Sequence, residues 1–303
     1  MKFSVTILGC SSATPTSERN PSSQLINHNE KLFLVDCGEG TQVQLRRNHF
    51  RFIRIDHIFI SHLHGDHFFG LVGLISTMHL LGRKKGLHIF APPELEEVIL
   101  LQLRISSTTL AYPLHFHPTQ AEGPALIMEN NKIEVISFPL NHKIPTTGFI
   151  FREKAGLRSI NAEAAKEYKI PFTVFEALKS GSDYTTTDGK VISNEKLTTA
   201  PAPSRSYAYC SDTAYYEAVL PIIEGIDVLY HETTFMADKA AIAAEKFHST
   251  TLEAATIALK ANVKKLLIGH YSARYDDLQP LLEETITVFP ESYLTQDGMV
   301  FDV

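Results

Sequence analysis

Ser61-His62-Leu63-His64-Gly65-Asp66-His67 is the stretch that decides the fold, and it follows the apolar run Ile58–Ile60. Three histidines and an aspartate fall within six residues at the end of a predicted strand. Neutral imidazole and carboxylate are ligands that zinc and similar divalent metals accept. We expect Gly65 to allow a tight backbone turn, because glycine tolerates positive φ. The pattern predicts a divalent-metal site, and its density argues against a chance polar loop.

Further candidate ligands stand where other apolar runs end. They are His142 after the run 133–138, Asp212 after the run 207–210, and His270 after the run 266–269. In an open α/β sheet, sites collect at strand ends. A lone histidine of this kind is usually structural, but beside the first motif each becomes a candidate ligand.

Composition and charge limit the class of protein. The chain has 303 residues, of which 44% are hydrophobic and 20% charged, so it can bury a sizeable core and is not disordered. The net charge of −6 excludes a protein that is basic all over, although a local basic patch can still bind a phosphate backbone. Residues 46–54 and Arg83-Lys84-Lys85 form two basic clusters, which fit either such a patch or ordinary solvated surface.

Cysteine usage and hydropathy suggest the compartment. Cys10, Cys37 and Cys210 show no Cys-x-x-Cys spacing, and so sparse a set favours a reducing environment and core positions. The apolar N-terminal stretch is too short and broken for a signal peptide, and no run of about 18 apolar residues predicts a membrane span. We therefore expect a cytoplasmic protein without membrane contact.

Apolar, β-branched runs mixed with helical patterns predict a layered α/β architecture. The predicted strands are Phe3–Leu8, Leu32–Val35, His57–Ile60, Leu87–Phe90, Lys132–Phe138, Thr147–Phe151, Tyr207–Tyr209, Val228–Tyr230 and Leu266–Ile268. The predicted helices are Thr41–Asn48, Phe68–Leu81, Pro93–Leu103, Tyr215–Ile223, Thr251–Ala261 and Leu278–Val288. We expect a single domain over residues 1–303.

One segment, from about Lys154 to Thr199, interrupts this pattern. Small and polar residues dominate around Lys179–Lys190, while strong strand patterns precede and follow the segment. We predict an insertion carried outside the core, as an arm or lid. An ordinary excursion without a role is the alternative.

The H-x-H-x-D-H run of residues 62–67 is the signature of the metallo-β-lactamase superfamily, and the chain resembles the ribonuclease Z family of tRNA 3′-processing endonucleases. The similarity runs from Gly9 to Gln296. Its further elements are Asp36–Gln42, Cys210–Thr213, His231–Phe235, His248–Thr250 and Gly269–Tyr275. The loops at 231 and 248 are the more specific, since other hydrolases of the superfamily generally lack this pair. The resemblance implies an αββα sandwich of two mixed β-sheets flanked by helices, with an inserted arm.

The resemblance also implies two zinc ions per chain and assigns their ligands. These are His62, His64 and His142 for the first ion, Asp66, His67 and His270 for the second, and Asp212 as a bridge between both. Iron or manganese could occupy the same ligands. Paired ions of this kind lower the pKa of a shared water toward neutrality and offset charge on phosphoryl oxygens.

Cleavage of a phosphodiester also needs a proton for the leaving oxygen. Our candidate donor is His248, oriented by Glu232, with His231 shaping the same loop. Asp66 is expected to orient the nucleophile or take its proton. The resemblance implies that precursor tRNA loses its 3′ trailer, with a 3′-hydroxyl left on the tRNA and a 5′-phosphate on the trailer. It further implies a homodimer in which the arm of one subunit holds tRNA for the other.

The remaining histidines fit no such role. They are His28, His49, His57, His79, His88, His115 and His117. His115 and His117 lie at strand spacing on one face and could mimic a ligand pair. Because no third partner accompanies them in the pattern, we interpret them as structural.

Two segments depart from the family pattern. A family Pro-x-Lys-x-Arg-Asn loop corresponds here to Pro15–Asn20, with Ser17 in place of lysine, which leaves the treatment of CCA-ending tRNA open. Arg19 of this loop could still contact phosphate. The arm keeps Leu178–Gly181, but Ile170–Phe175 replaces the family's Gly-Pro step, so the chemistry of its tip differs.

Two other functions compete with this interpretation. A small-molecule phosphodiesterase or arylsulfatase of the same fold would not require the arm or the loops at His231 and His248. A non-catalytic RNA-binding protein would be expected to have lost ligands, and all seven are present.

Overall fold

A computed structural model describes residues 2–119 and 122–303. The chain divides into two compact units. The first comprises the residues up to Met128, Val135–Phe151 and Ser206–Val303, and the second comprises Glu129–Glu134 and Arg152–Arg205.

The strands in chain order are β1 (Phe3–Gly9), β2 (Ser23–His28), β3 (Lys31–Val35), β4 (Ile55–Phe59), β5 (Leu87–Ala91), β6 (Leu114–Pro118), β7 (Ala125–Glu129), β8 (Ile133–Leu140), β9 (Thr146–Glu153), β10 (Ser159–Ile160), β11 (Tyr184–Thr185), β12 (Val191–Ile192), β13 (Thr198–Thr199), β14 (Ser206–Cys210), β15 (Val228–Glu232), β16 (Lys265–Gly269), β17 (Ser292–Leu294) and β18 (Val300–Asp302). The α-helices are α1 (Thr41–Arg47), α2 (Gly65–Phe68), α3 (Leu71–Leu80), α4 (Glu94–Ile105), α5 (Ala162–Glu167), α6 (Phe175–Lys179), α7 (Asn194–Leu197), α8 (Leu220–Ile223), α9 (Ala240–Lys246), α10 (Thr251–Lys260) and α11 (Gln279–Ile286).

Two seven-stranded sheets form the frame. The first has the order β18-β1-β2-β3-β4-β5-β6, antiparallel from β18 to β3 and parallel from β3 to β6. The second has the order β17-β16-β15-β14-β9-β8-β7, with β14 to β17 parallel. Parallel strands end at one edge of a sheet, so the loops that follow them share that edge.

Aromatic side chains fill the space between the two sheets. Phe59 of β4 packs against Phe149 and Phe151 of β9, at ring-centroid distances of 5.5 and 5.3 Å, and Phe33 of β3 lies 5.8 Å from Phe151. Helices α1, α3 and α4 contribute buried side chains to a second apolar cluster with the first sheet. Helix α10 packs against β15 and β16, and α11 against β17. The predicted sandwich of two mixed sheets flanked by helices is confirmed.

The predicted helix over Tyr215–Ile223 is shorter than expected. A 3₁₀ turn occupies Glu217–Val219, and α8 begins only at Leu220. Pro221 explains this start, because proline is accommodated in the first turn of a helix but breaks its interior.

Strand β2 was not predicted, because its sequence, SQLINH, lacks an alternating pattern although all six residues are buried. Polar side chains of this strand find partners in the core: the side-chain oxygen of Gln24 accepts a hydrogen bond from the Tyr207 hydroxyl, and the Ser23 hydroxyl donates to the Asp36 carbonyl oxygen. A buried polar group with such a partner avoids most of its desolvation cost, and that partner is invisible in the local sequence.

Arg83 does not belong to a basic surface patch. The residue is 2% exposed, and its side chain donates to the carbonyl oxygens of Ile53 and Ile55 at 3.0 and 2.9 Å. It also pairs with the Asp56 carboxylate at 3.1 Å. The residue holds the turn before β4 and is not available to a phosphate.

The second unit has a small apolar core of its own. It contains α5 to α7 and the two-stranded sheets β10-β13 and β11-β12. The buried core residues are Ala164, Ala165, Ile170, Leu178, Ile192 and Leu197. Among the described residues of the chain, no helix is long and apolar enough to cross a membrane.

Candidate metal centre

The candidate site forms where strands of both sheets end. The structure places Asp36 after β3, Ser61–His67 after β4, His142 after β8, Asp212 after β14, Glu232 at the end of β15 and His270 after β16. Together with His248, which follows α9, residues from seven separate parts of the chain thereby reach one location in the first unit. All nine residues proposed from the sequence lie there.

Three imidazoles and one carboxylate make up the first group. The Nδ1 atom of His64 lies 3.1 Å from Nε2 of His62 and 3.2 Å from Nε2 of His142. Oδ2 of Asp212 lies 3.6 and 3.8 Å from the same two Nε2 atoms. Ligands at the usual zinc–nitrogen distance, in a tetrahedron, would be separated by about 3.3 Å. Burial lowers the pKa of all three histidines, which favours the neutral form that coordinates metal.

The second group contains Asp66, His67 and His270. Nε2 of His270 lies 3.4 Å from Oδ2 of Asp66 and 3.2 Å from Oδ1 of Asp212. Nε2 of His67 lies 3.4 and 3.3 Å from the same two oxygens. Both imidazoles therefore direct one nitrogen toward the same two carboxylates.

The opposite nitrogens of these rings are already engaged. Nδ1 of His67 lies 2.7 Å from the Asp36 carboxylate, and Nδ1 of His270 lies 2.9 Å from the Thr234 hydroxyl. Each Nδ1 is thus assigned the ring hydrogen, which leaves a lone pair on each Nε2.

This arrangement fits a cation. Among the described residues, Nε2 of His67 and Oδ1 of Asp212 are buried and have no hydrogen-bond partner. Burial lowers the pKa of His67, but Asp212, Asp66 and Asp36 raise it well above its ordinary value. Converging lone pairs and carboxylates require either extra protons or a metal ion between them, and the first group presents the same donor types at metal-ligand spacing.

Asp36 belongs to the same candidate site, and the sequence noted it only as part of the family-like run 36–42. It is fully buried and accepts hydrogen bonds from Ser61 N at 2.8 Å, Ser61 Oγ at 2.9 Å and the Tyr209 hydroxyl at 2.7 Å, in addition to His67 Nδ1. A carboxylate behind a ligating histidine fixes the tautomer and direction of the ring. Its position after a strand was the available signal.

His248 and Glu232 form a hydrogen-bonded pair beside both groups. Nδ1 of His248 lies 2.7 Å from Oε1 of the buried Glu232 carboxylate. The backbone N–H of Thr213 donates to the same Oε1 and that of Thr234 to Oε2, each at 3.0 Å. Burial lowers the pKa of His248, but the Glu232 carboxylate and its hydrogen bond raise it above the ordinary value. His231 is buried, and its Nδ1 contacts the Glu232 carbonyl oxygen at 2.7 Å.

The expectation that Gly65 needs a positive φ is wrong, since its φ is not positive. The reason for glycine is a close approach: a Cβ at Gly65 would lie 2.2 Å from Cε2 of Phe69. In the same loop, Oδ2 of Asp66 accepts a hydrogen bond from Ala13 N at 2.8 Å, with Ala13 in the left-handed region at φ 59°.

Arg19 is not free to bind phosphate. Its side chain is 7% exposed and donates to the Tyr275 carbonyl oxygen at 2.8 Å. The neighbouring Asn20 donates from its side-chain amide to Asp297 at 2.8 Å. These contacts give the loop 15–20 a fixed attachment to the first unit.

His115 and His117 lie outside the candidate centre, on β6. Their rings stack on His88, at centroid distances of 4.8 and 5.2 Å. Within residues 2–119 and 122–303, the three groups that could hold a metal include neither of them.

A curated relative that spans the full chain is a ribonuclease Z, and one of the similar solved structures is a tRNase Z. A ribonuclease Z from Porphyromonas gingivalis strain W83 is 48% identical over 301 residues, which cover 99% of each chain. The solved structure of the short form of human tRNase Z is 27% identical, covers 98% of both chains and has a TM-score of 0.71. The metallo-β-lactamase fold protein YhfI from Bacillus subtilis, at 19% identity and full coverage of both chains, has a TM-score of 0.70 and shares the fold.

A family model described as Anti-Pycsar protein Apyc1 matches residues 3–157. That range contains the H-x-H-x-D-H run and His142 but ends before Asp212, Glu232, His248 and His270. The full-length relative covers all of these positions, so the longer match decides the family. The chain belongs to the ribonuclease Z family.

Proposed function

We propose that this protein is a metal-dependent endoribonuclease that removes the 3′ trailer from precursor tRNA, leaving a 3′-hydroxyl on the tRNA and a 5′-phosphate on the trailer. The observation that carries the proposal is the pair of imidazole–carboxylate groups sharing Asp212, beside the His248–Glu232 pair. Full-length similarity to ribonuclease Z supports the same substrate. We further propose that it acts in the cytoplasm as a homodimer.

The cofactor we propose is two zinc ions per chain. His62, His64 and His142 would hold the first, Asp66, His67 and His270 the second, and Asp212, with one oxygen facing each group, would bridge them. When bound, such ions lower the pKa of water and offset the charge on phosphoryl oxygens.

His248 is the proposed proton donor to the leaving oxygen. Glu232 accepts from Nδ1, which leaves Nε2 as the nitrogen that can serve the substrate. Glu232 is therefore a positioning residue that also supports the protonated imidazole. Asp66, held by the Ala13 N–H, is proposed to orient the nucleophile or take its proton.

The segment from about 154 to 199 is proposed to be a tRNA-binding arm. It has its own core, and among the described residues none of its side chains belongs to a candidate metal group. Its contribution would be binding energy from parts of the tRNA other than the reacting phosphate.

The arm is tested by replacing residues 154–199 with a short Gly/Ser loop. Metal content and hydrolysis of bis(p-nitrophenyl) phosphate should stay within a few-fold, while cleavage of precursor tRNA should fall steeply through KM. Binding of tRNA to the intact protein should weaken as salt rises, because phosphate contacts release counterions. If ester hydrolysis disappeared and precursor processing survived, the segment would be a lid.

The reaction itself is tested with a 3′-extended precursor tRNA and the zinc-loaded protein. Mapping both ends of both products should show the 3′-hydroxyl and the 5′-phosphate. If bis(p-nitrophenyl) phosphate were hydrolysed but the precursor were not, a small-molecule phosphodiesterase would be the better assignment.

A further inference from the structure

Phe69 stands at the mouth of the candidate metal centre with most of its ring in solvent. The residue is 65% exposed, although it directly follows α2, which carries Asp66 and His67. It lines a cleft of about 550 Å³ together with His64, Asp66 and His248. An exposed phenylalanine ring keeps apolar surface in contact with water, which is unfavourable, and a polar residue at this position would avoid that cost.

One face of the Phe69 ring rests on the backbone of the loop 61–67, which we call the metal loop. A Cβ built on Gly65 would lie 2.2, 2.4 and 2.7 Å from Cε2, Cζ and Cδ2 of Phe69. One side of the ring is thus seated where the missing side chain would be. Phe68 packs against Phe69 in an edge-to-face arrangement, with centroids 5.1 Å apart and an interplanar angle of 68°. The exposed area of Phe69 is therefore the opposite side, and a fixed ring loses little conformational entropy when a ligand covers it.

We propose that Phe69 is a substrate-positioning residue whose open face stacks on a nucleobase next to the scissile phosphate. A nucleobase offers a π-face whatever its identity, so stacking suits an enzyme that must accept many trailer sequences. A stacked base beside the bond to be cut would fix the phosphate relative to the metal groups and His248. This inference rests on the proposed function.

The test compares Phe69→Leu, which keeps an apolar side chain but removes the flat face, with Phe69→Tyr and Phe69→Trp, which keep the face. With zinc-loaded protein and precursor tRNA, Phe69→Leu should lower kcat/KM by about 5- to 150-fold, the change that corresponds to about 1–3 kcal/mol per stacked base. Phe69→Tyr and Phe69→Trp should stay within a few-fold of the wild type. Tyr293→Leu, which removes an exposed aromatic ring on β17 outside this cleft, is the matched control and should change nothing.

Precursors carrying one abasic nucleotide, either just 5′ or just 3′ of the scissile phosphate, separate stacking from a structural role. At the stacked position, the abasic substrate should be cleaved equally by the wild type and Phe69→Leu. Zinc content and Tm are measured for every variant.

An equal loss on intact and abasic substrates, or failure of tyrosine and tryptophan to restore the rate, would make Phe69 a structural residue of the metal loop and overturn the inference. If Phe69→Leu cleaves the intact precursor like the wild type, the inference alone fails. If the wild type does not cleave the precursor, the proposed function fails and the inference with it.

Discussion

Two clusters of histidines lie on the first unit, and they are built in opposite ways. In the candidate metal centre, the rings of His62, His64 and His142 meet at interplanar angles of 70–85° with their nitrogens 3.1–3.2 Å apart. On β4 to β6, His88 stacks with its histidine neighbours at 19–23°. We call the second cluster, which consists of His57, His88, His115 and His117, the histidine ladder.

Charge separates the two clusters as clearly as geometry does. Four carboxylates, those of Asp36, Asp66, Asp212 and Glu232, contact histidines of the metal centre, and among the described residues none of them pairs with lysine or arginine. Beside the ladder stands Asp56, which Arg83 and Lys85 neutralise.

The comparison teaches that the number of histidines does not make a metal site. A metal site forms where nitrogen lone pairs converge on shared carboxylates whose charge no lysine or arginine balances. In the ladder, adjacent parallel strands place the rings side by side, and the rings stack. Nδ1 of His88 and Nε2 of His117 approach to 2.9 Å, but among the described residues no candidate metal group includes either of them.

Loss of Asp212 should give the largest effect, because its two oxygens face the two groups separately. We expect Asp212→Ala to lose most of the activity and part of its metal, since one carboxylate serves both ions. Metal analysis and precursor cleavage check this. Full metal content with unchanged turnover would remove Asp212 from its bridging role.

Replacement of His248 should slow the reaction without reducing the amount of bound metal. Because the residue is proposed to donate a proton, His248→Ala should lose about 10²–10⁴ in kcat while metal content and tRNA affinity persist. The loss should shrink on bis(p-nitrophenyl) phosphate, whose leaving group needs no proton. Equal losses on both substrates would contradict the assignment.

Asp36→Asn should weaken metal binding by about 10- to 100-fold, the usual effect of removing a carboxylate behind a ligating histidine. The measurement is a competition titration with a zinc chelator. Tyr209→Phe is the matched control, since it removes one hydrogen bond to Asp36 but leaves the carboxylate behind His67. Equal affinities for Asp36→Asn and wild type would show that His67 does not depend on this contact.

Substitutions in the histidine ladder should have the smallest effect on activity, and they should act on stability instead of catalysis. His117→Ala should leave metal content and cleavage unchanged.

Burial, followed by the charge of His88, lowers the pKa of His57 to about 4. The groups that act on it are His88, Asp56, Lys85 and His117.

Between pH 6.5 and 4, the unfolded chain therefore binds a proton at His57 that the folded chain does not, and stability is lost as pH falls through this window. His57→Phe should make the fall in Tm from pH 7 to pH 4.5 shallower than in the wild type. Identical slopes would show that His57 titrates normally. Any metal loss in acid affects both proteins and cancels in the comparison.

The run 62–67, together with His142, Asp212 and His270, could be read directly from the chain. Each stands at the end of an apolar run, and the chemistry of metal ligands resides in residue type and close spacing. The layered fold followed from the same alternation of strands and helices. These are local properties, so the sequence by itself determined them.

The surroundings of the site were decided only by tertiary structure. Asp36 and Tyr209 are 173 residues apart and meet because the two sheets pack face to face. The ring of Phe69 lies where a side chain at residue 65 would be, which only glycine allows, and Arg83 and Arg19 are buried against carbonyl groups that no local pattern identifies. Likewise, the ladder histidines resemble ligands in sequence and stack in space. The direction of a side chain depends on the neighbours that folding brings to it, whereas the type of side chain is already written in the sequence.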